Sequence, residues 1–330
     1  MSSRKVRIGI DVGGTFTDAV VVDNETYEVI AKEKCPTTHH AKQGVAEGIV
    51  RNIENVLKKN NISPEDVIFI AHGTTQATNA LLEGDVAKVG IVGMGKGLEA
   101  DRAKKETTAG NIELAPGKFL YTEHEFLESS SLREDLIKSA IEKLKQKGAE
   151  VIVASESYSV DNPENEKKVI EIANKMGLPA TGGYEISQLY GLSARTRTAA
   201  VNAALIPKMM ETANMTEGAV KESGIRKPLM IMRCDGGVMS IDEVRKRPIL
   251  TMLSGLAAGV AGALMYEKIT DGIFLGSWRN FHGYFCDKRW KSYDQKRTNR
   301  WSKIIFDFTG RKNIGGCWWK YDRSRRWKTS

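Results

Sequence analysis

The stretch GIDVGGTFTDAVVVD, from Gly9 to Asp23, decides how the rest of the chain is read. Apolar residues lead to Asp11. The chain then turns through Gly13 and Gly14, passes Thr15 and Thr17, and leaves as a second apolar run ending at Asp23. Such a turn exposes consecutive backbone N–H groups, and glycine lets a phosphate come close to them. Thr15 and Thr17 add hydroxyls. Asp11 offers an oxygen ligand to Mg²⁺ through water, which suits a cation that gives up its hydration shell reluctantly. A bare Asp-x-Gly-Gly also fits an ordinary hairpin turn. The full DVGGTFTD at the end of a first strand favours a phosphate loop.

Outward from this loop the pattern is α/β. VRIGIDV and DAVVVD read as strands, and NET turns the chain into a third, YEVIAKEKC, giving a three-strand meander. Val45, Ile49, Ile53, Val56 and Leu57 recur at helical spacing. VIFIAHGTT is a strand ending in a tight loop, where Thr74 or Thr75 can cap the helix QATNALLE. AKVGIVG is a buried strand. Residues 93–128 are rich in Gly, Lys and Glu with weak periodicity, and read as a loop-rich insertion. LREDLIKSAIEKLKQKG is an amphipathic helix stopped by Gly148, and AEVIVAS with NPENEKKVIEIANKMG forms a strand–helix unit. A second block begins near Gly182. Its long helical run, TRTAAVNAALIPKMMETANMTEGAVKESG, carries Pro207, so a kink or break is expected there. PLMIMRCDGGVMS is a strand entering a Gly-Gly turn, and SGLAAGVAGALMYEKI is a helix with small residues for close packing. Strands alternating with helices define the class.

Composition narrows the functions. A length of 330 residues suggests two domains, and 41% apolar residues suit a globular chain. The net charge of +8 is not spread evenly. Residues 271–330 hold 15 Lys+Arg and 5 Asp+Glu, a net of +10. The remaining 34 basic and 36 acidic residues leave the body at −2. The main domains are therefore not built for nucleic acid. Cys35, Cys234, Cys286 and Cys317 share no metal-ligand spacing and read as reduced thiols. The N-terminus has no apolar run of signal-peptide length, and no window approaches a membrane span. A cytoplasmic chain with no membrane partner is expected.

The Gly9–Asp23 stretch resembles the first phosphate loop of the actin/hexokinase-like ATPase superfamily. Its wording is similar to the hydantoinase A/5-oxoprolinase family, which includes N-methylhydantoinase A and the acetone carboxylase β subunit. Four further segments carry the resemblance in family order: AHGTTQATNALLE (Ala71–Glu83), YGLSARTRTAAVNAALIP (Tyr190–Pro207), MRCDGGVMS (Met232–Ser240) and TMLSGLAAGVAGA (Thr251–Ala263). Leu256 stands where the family usually has Pro. The resemblance implies an actin-like (ribonuclease H-like) ATPase fold and ATP-dependent ring opening of a cyclic amide or imide, such as a hydantoin or 5-oxoproline. The amide oxygen would be phosphorylated and the activated ring hydrolysed, with ATP and Mg²⁺ required and a hydantoinase B-like subunit as a possible partner. By matching position, Asp11, Gly13, Gly14, Thr15, Thr17 and Asp18 would form the nucleotide loop. Asp235, with Gly236 and Gly237, would line the interlobe cleft. Asp11, Asp18 and Asp235 are the implied catalytic carboxylates. His72, Thr74 and Thr75 would hold substrate or an anionic group at a helix N-terminus. A structural role stays open for His72 and a plain turn for Asp235. An acetone carboxylase β-like or sugar-kinase-like phosphotransferase is the alternative within enzymes.

All six tryptophans lie between Trp278 and Trp327, and residues 276–330 lack Ala, Val, Leu, Glu, Met and Pro. Interleaved Arg, Lys and aromatics suit strand binding by a non-catalytic protein, or a solvated basic tail. A reading-frame shift explains more. Residues 276–285, GSWRNFHGYF, can be encoded as GGA AGT TGG AGG AAC TTC CAC GGA TAT TTC. One base later the string reads EVGGTSTDIS, a near copy of DVGGTFTDAV at the place where a second phosphate loop is expected. Tryptophan has a single codon, whose GG pair becomes glycine in the shifted frame. The expectation is therefore three regions. Residues 1–180 form the N-terminal domain with the phosphate loop, 181–275 start the hydantoinase A domain, and 276–330 are an out-of-frame, disordered tail. The first lobe would be complete, the second truncated, and the chain inactive.

Overall fold

The computed structural model describes residues 4–38, 41, 44–267, 272–278 and 281–287. The chain opens with β1 (Val6–Val12), β2 (Phe16–Asp23) and β3 (Val29–Pro36), followed by α1 (Val45–Lys59), β4 (Val67–Thr74) and α2 (Gln76–Glu83). Next come β5 (Val89–Gly95), α3 (Ala100–Thr107), β6 (Ile112–Ala115), β7 (Lys118–Leu120), β8 (Thr122–Glu128) and α4 (Glu134–Gln146). They lead to β9 (Val151–Glu156), α5 (Glu164–Lys175), β10 (Ala180–Gly182) and α6 (Gly183–Ile186). The chain continues through α7 (Leu192–Glu222), β11 (Leu229–Met232), β12 (Val238–Ser240), α8 (Ile241–Lys246) and α9 (Ser254–Glu267). A hairpin of β13 (Gly272–Trp278) and β14 (Phe281–Asp287) ends the described residues.

The first sheet has the order β12-β11-β4-β1-β2-β3. β1, β4 and β11 are parallel neighbours, while β2 is antiparallel to both β1 and β3. This is the order of a ribonuclease H-like sheet, with the meander at one edge. It takes strands from both sides of residue 180. Alternation sets its two faces. Val6, Ile8, Ile10 and Val12 of β1 are buried, whereas Gly9 and Asp11 between them are exposed. The buried residues join a core with Ile49, Ile53 and Val56 of α1 and the alanine-rich Ala199–Leu205 of α7. Removing apolar surface of this kind from water is worth about 25 cal/mol per Å². α7 runs on through Pro207, so of the kink or break expected there the break is absent. The residues before the proline, Ala199 to Ile206, are buried throughout. Packing on that scale outweighs one lost helical hydrogen bond.

A second sheet, β10-β9-β5-β8, is parallel throughout and is inserted between α2 and α7. Both of its faces are covered. Val89, Ile91, Val151 and Val153 join the α7 core. Val92, Met94, Ile152 and Ala154 pack with Ile137, Ile141 and Leu144 of α4 and Val169 and Ile172 of α5. The loop-rich insertion expected at residues 93–128 is corrected here: it contains α3 and the strands β6, β7 and β8. β8 is the edge strand, and most of its residues are half-buried, so it lacks the clean alternation that marks a strand.

The hairpin β13–β14 pairs with itself in a sheet of its own. β13 begins before the proposed frame change after Leu275. The rest of the tryptophan-rich segment, 288–330, lies outside the described residues, and so do Arg279 and Asn280. Among the described residues, no helix is long and apolar enough to cross a membrane.

Candidate functional site

The loop between β1 and β2 is held from below. Gly13 N donates to Phe16 O at 2.9 Å, closing the turn. Thr37, just past β3, donates its hydroxyl to Gly13 O at 2.8 Å and its backbone N–H to Thr15 O at 2.9 Å. The Thr17 and Thr37 hydroxyls are 3.2 Å apart, and Asn52 of α1 donates to Thr17 O at 2.6 Å. Thr17 is fully buried. Its side chain therefore anchors the loop from the core side, while Gly13 and Gly14 are half-buried and Thr15 is exposed on the outer rim.

On the open face of the sheet one row runs across four strands. Lys34 is in register with Asp18, Asp18 with Asp11, and Asp11 with Gly73. Directly opposed residues share a face, so the two carboxylates stand side by side. Burial, with the charge of Asp18 adding to it, holds the Asp11 carboxyl above the usual carboxylate range. Solvent still reaches Asp11. A Cβ at position 73 would lie 3.2 Å from Asp11 Oδ1, so glycine there leaves the flank of the carboxylate free.

The other expected residues lie at or near the same edge of the sheet. β1, β4 and β11 are parallel, so their carboxyl ends bring the Gly13–Thr15 loop, Thr74–Thr75 and the Asp235–Gly237 turn to one side. Thr75 donates to Val12 O at 3.4 Å, tying the β4 end to the loop. Thr74 Oγ1 accepts from Gln76 N at 3.2 Å at the start of α2, so the capping contact belongs to Thr74. Ser254, at the start of α9, donates to Thr74 O at 3.2 Å. Asp235 accepts from Gly237 N at 3.0 Å and pairs with Arg233 at 2.6 Å, and Gly236 has the positive φ of 84° that the turn requires.

His72 is placed differently. It is in register with Ile10 and Ile231, on the buried face of β4, the opposite face from Asp11. It is 2% exposed, neither ring nitrogen has a hydrogen-bond partner, and burial pushes its pKa down to about 4. The imidazole is neutral and turned into the core.

Sequence reasoning passed over Gly73, Thr37, Lys34 and Ser254. The run CPTT at the end of β3 was a usable signal for Thr37, since a threonine pair just past a strand can serve a neighbouring turn. Register alone reveals Lys34 and Gly73.

The arrangement suits an anion with an attendant hard cation. Gly14 and Thr15 form the outer rim of the loop, and two carboxylates on the open face are oxygen donors of the kind hydrated Mg²⁺ accepts. Among the described residues no cluster of three or more His, Cys, Asp or Glu side chains forms a closed metal site. The fold and this edge define an actin-like ATPase architecture. Two solved structures share it. They are acetone carboxylase in its nucleotide-free form (TM-score 0.65, 23% identity, 85% of this chain and 44% of that one) and the ATP-dependent caprolactamase of Pseudomonas jessenii (TM-score 0.62, 23% identity, 86% and 44%).

The hydantoinase/oxoprolinase N-terminal region matches residues 7–177, and the hydantoinase/oxoprolinase domain matches residues 195–276. The chain belongs to the hydantoinase/oxoprolinase family. The caprolactamase subunit alpha of Pseudomonas jessenii is 27% identical over 286 residues, covering 80% of this chain and 40% of the relative. The 5-oxoprolinase of Dictyostelium discoideum is 26% identical over 323 residues, covering 85% and 25%. The acetone carboxylase beta subunit of Xanthobacter autotrophicus is 25% identical over 287 residues, covering 78% and 39%. The chain thus spans about two fifths or less of the length of these relatives.

Proposed function

We propose that this chain is the nucleotide-binding part of an ATP-dependent hydrolase that opens a cyclic amide or imide, a lactam, hydantoin or 5-oxoproline. The supporting observation is the convergence of three parallel-strand ends on one edge, with the Asp11–Asp18 hairpin open at its centre. Ligands of open α/β sheets bind beyond the carboxyl ends of the strands. An amide is a poor electrophile. Phosphorylating its oxygen makes the carbon electrophilic: water would add there, the protonated ring nitrogen would leave as the C–N bond breaks, and a second water would release phosphate from the resulting acyl phosphate. In this chain the rim of the turn at Gly14 and Thr15 would face phosphate, while the Gly13 N–H closes the turn and Thr37 and Thr17 keep it in shape. Asp11 would hold Mg²⁺ through water, with Asp18 beside it and Asp235 across the edge. Bound Mg²⁺ would neutralise charge on the phosphates. Thr75 and the start of α2 would border the anion from the β4 side.

Relatives named as subunits support a second chain as partner: caprolactamase subunit alpha, acetophenone carboxylase gamma subunit and acetone carboxylase beta subunit. The same names carry a second reading, ATP-dependent carboxylation of a ketone, favoured by the comparable TM-scores of 0.65 and 0.62. ATP turnover by the protein with its frame restored after Leu275 and its partner subunit supplied, with caprolactam, hydantoin, 5-oxoproline, or acetone plus bicarbonate, separates the two readings. Turnover with the ketone alone would overturn the amide assignment.

We also propose that the gene is shifted by one base after the codon of Leu275. The domain match stops at residue 276, where the composition changes and where the shifted frame spells EVGGTSTDIS. On this reading the 330-residue chain presents one phosphate loop instead of two and does not turn over. The nucleotide sequence across and beyond that codon tests it, and a frame one base later that encodes no second phosphate loop there would overturn it.

A further inference from the structure

We infer that Lys34 is a phosphate-contacting residue of the loop, held in waiting by Asp18 and Phe16. This rests on the phosphate-loop reading above. Lys34 stands on the open face of β3, in register with Asp18, which is in register with Asp11. Neighbouring strands are about 4.8 Å apart, so Lys34 starts roughly 10 Å from Asp11, and its four-carbon stem covers much of that gap. The ammonium sits between its own row, where Asp18 is 3.5 Å away, and the next row toward the turn. It lies 4.5 Å from the ring centroid of Phe16, the first residue after the loop. Phe16 is two residues nearer the turn than Asp18, so the cation already leans toward Gly13–Thr15.

Two further observations mark Lys34 as held in reserve. Its ion pair with Asp18 is long, 3.5 Å, and exposed on both sides. Another lysine pair is tighter: Lys59, at the end of α1, meets Glu33 of β3 at 2.7 Å. Phe16 is 43% exposed, and its ring is the surface over which the ammonium lies. A flexible point charge with a weak partner and an aromatic rail can swing onto a phosphate oxygen, where a charge-assisted bond is stronger than either present contact. Lys32 supplies an internal control. It shares the face and the charge of Lys34 but is in register with Val20, one row farther from the loop.

The test is a titration of the 330-residue chain with magnesium pyrophosphate, followed by the ¹⁵N amide signals of Gly13, Gly14 and Thr15 and the ¹⁵Nζ signal of Lys34. Both sets of signals should move together. Lys34→Gln should weaken binding about tenfold and Lys34→Arg should keep most of it, while Lys32→Gln should stay within about twofold. Loop amides that shift with unchanged affinity in Lys34→Gln, or an unmoved Lys34 ¹⁵Nζ signal, would overturn the role of Lys34 and leave the loop reading standing. No shift of the loop amides in the unaltered chain would overturn the loop reading itself, and Lys34 with it.

Discussion

His72 shows what a single residue in a recognisable motif can conceal. AHGTT reads as a loop ready for an anion, yet strand register turns the imidazole to the face shared by Ile10 and Ile231. The period of two was visible, but which residues of β4 face the core depends on its neighbours β1 and β11. The burial has a measurable consequence. His72 titrates at about 4 in the folded chain against an ordinary 6.5, so the unfolded chain binds more protons between those values. Stability contributed by keeping this ring neutral is complete above about pH 7 and is lost as pH falls from 6.5 toward 4. Urea unfolding at pH 7 and pH 5 should show a loss on the order of 2 kcal/mol that His72→Leu lacks. Equal pH dependence in the two proteins would mean the ring is solvated. Asp11 was the better-marked residue, because a carboxylate at the end of a buried strand, just before Gly-Gly, adds nothing to a core and points to a ligand.

At the scale of elements, the β1–β2 hairpin is rigid because Thr37 bonds both sides of its turn. Thr37→Val removes the hydroxyl contacts and leaves Gly13 O and the buried Thr17 hydroxyl short of a partner. A loss of about 1–3 kcal/mol is expected, with faster amide exchange at Gly13 and Thr15. Unchanged exchange would remove Thr37 from the account. A second fastening lies at the carboxyl end of β9. The fully buried Arg195 of α7 donates to Glu156 O at 2.6 Å and to Leu189 O at 2.6 Å. Buried Glu166 of α5 accepts from Glu156 N at 2.8 Å and Tyr184 N at 3.0 Å, and burial pushes its pKa up to about 6. Arg195→Met should cost about 1–3 kcal/mol in urea unfolding, because the buried Glu156 O, together with Leu189 O, loses its donor. An unchanged unfolding midpoint would show that these bonds do not fasten α7 to β9. These elements were legible in unequal measure. The meander, α1, α4 and α5 announce themselves by strong periodicity. β6, β7 and β8 do not, since short strands and half-buried edges leave little alternation to read.

For the whole molecule, two sheets share α7 as common packing. Its buried Arg195, Thr196 and Thr198 lie among alanines, which explains why the helix shows no single apolar face in the sequence. The division into sheets was not legible. The first sheet closes only when β11 and β12 return to β4 after an insertion of more than a hundred residues, a non-local pairing that no local pattern encodes. The family resemblance, by contrast, was carried by five short motifs. Three of them, around Asp11, Thr74 and Asp235, lie at one edge of that sheet. The central claim is that this edge, with Asp11 at its heart, works on the phosphates of ATP during cyclic-amide opening. Its most direct test is the rate of ATP-dependent opening of caprolactam, hydantoin or 5-oxoproline. The protein to assay is the form with the frame restored after Leu275 and its partner subunit supplied, beside the same protein carrying Asp11→Ala. The account predicts activity in the first and a loss on the order of 10²-fold or more in the second, roughly 2.7 kcal/mol of barrier. Undiminished activity in the Asp11→Ala protein would contradict it.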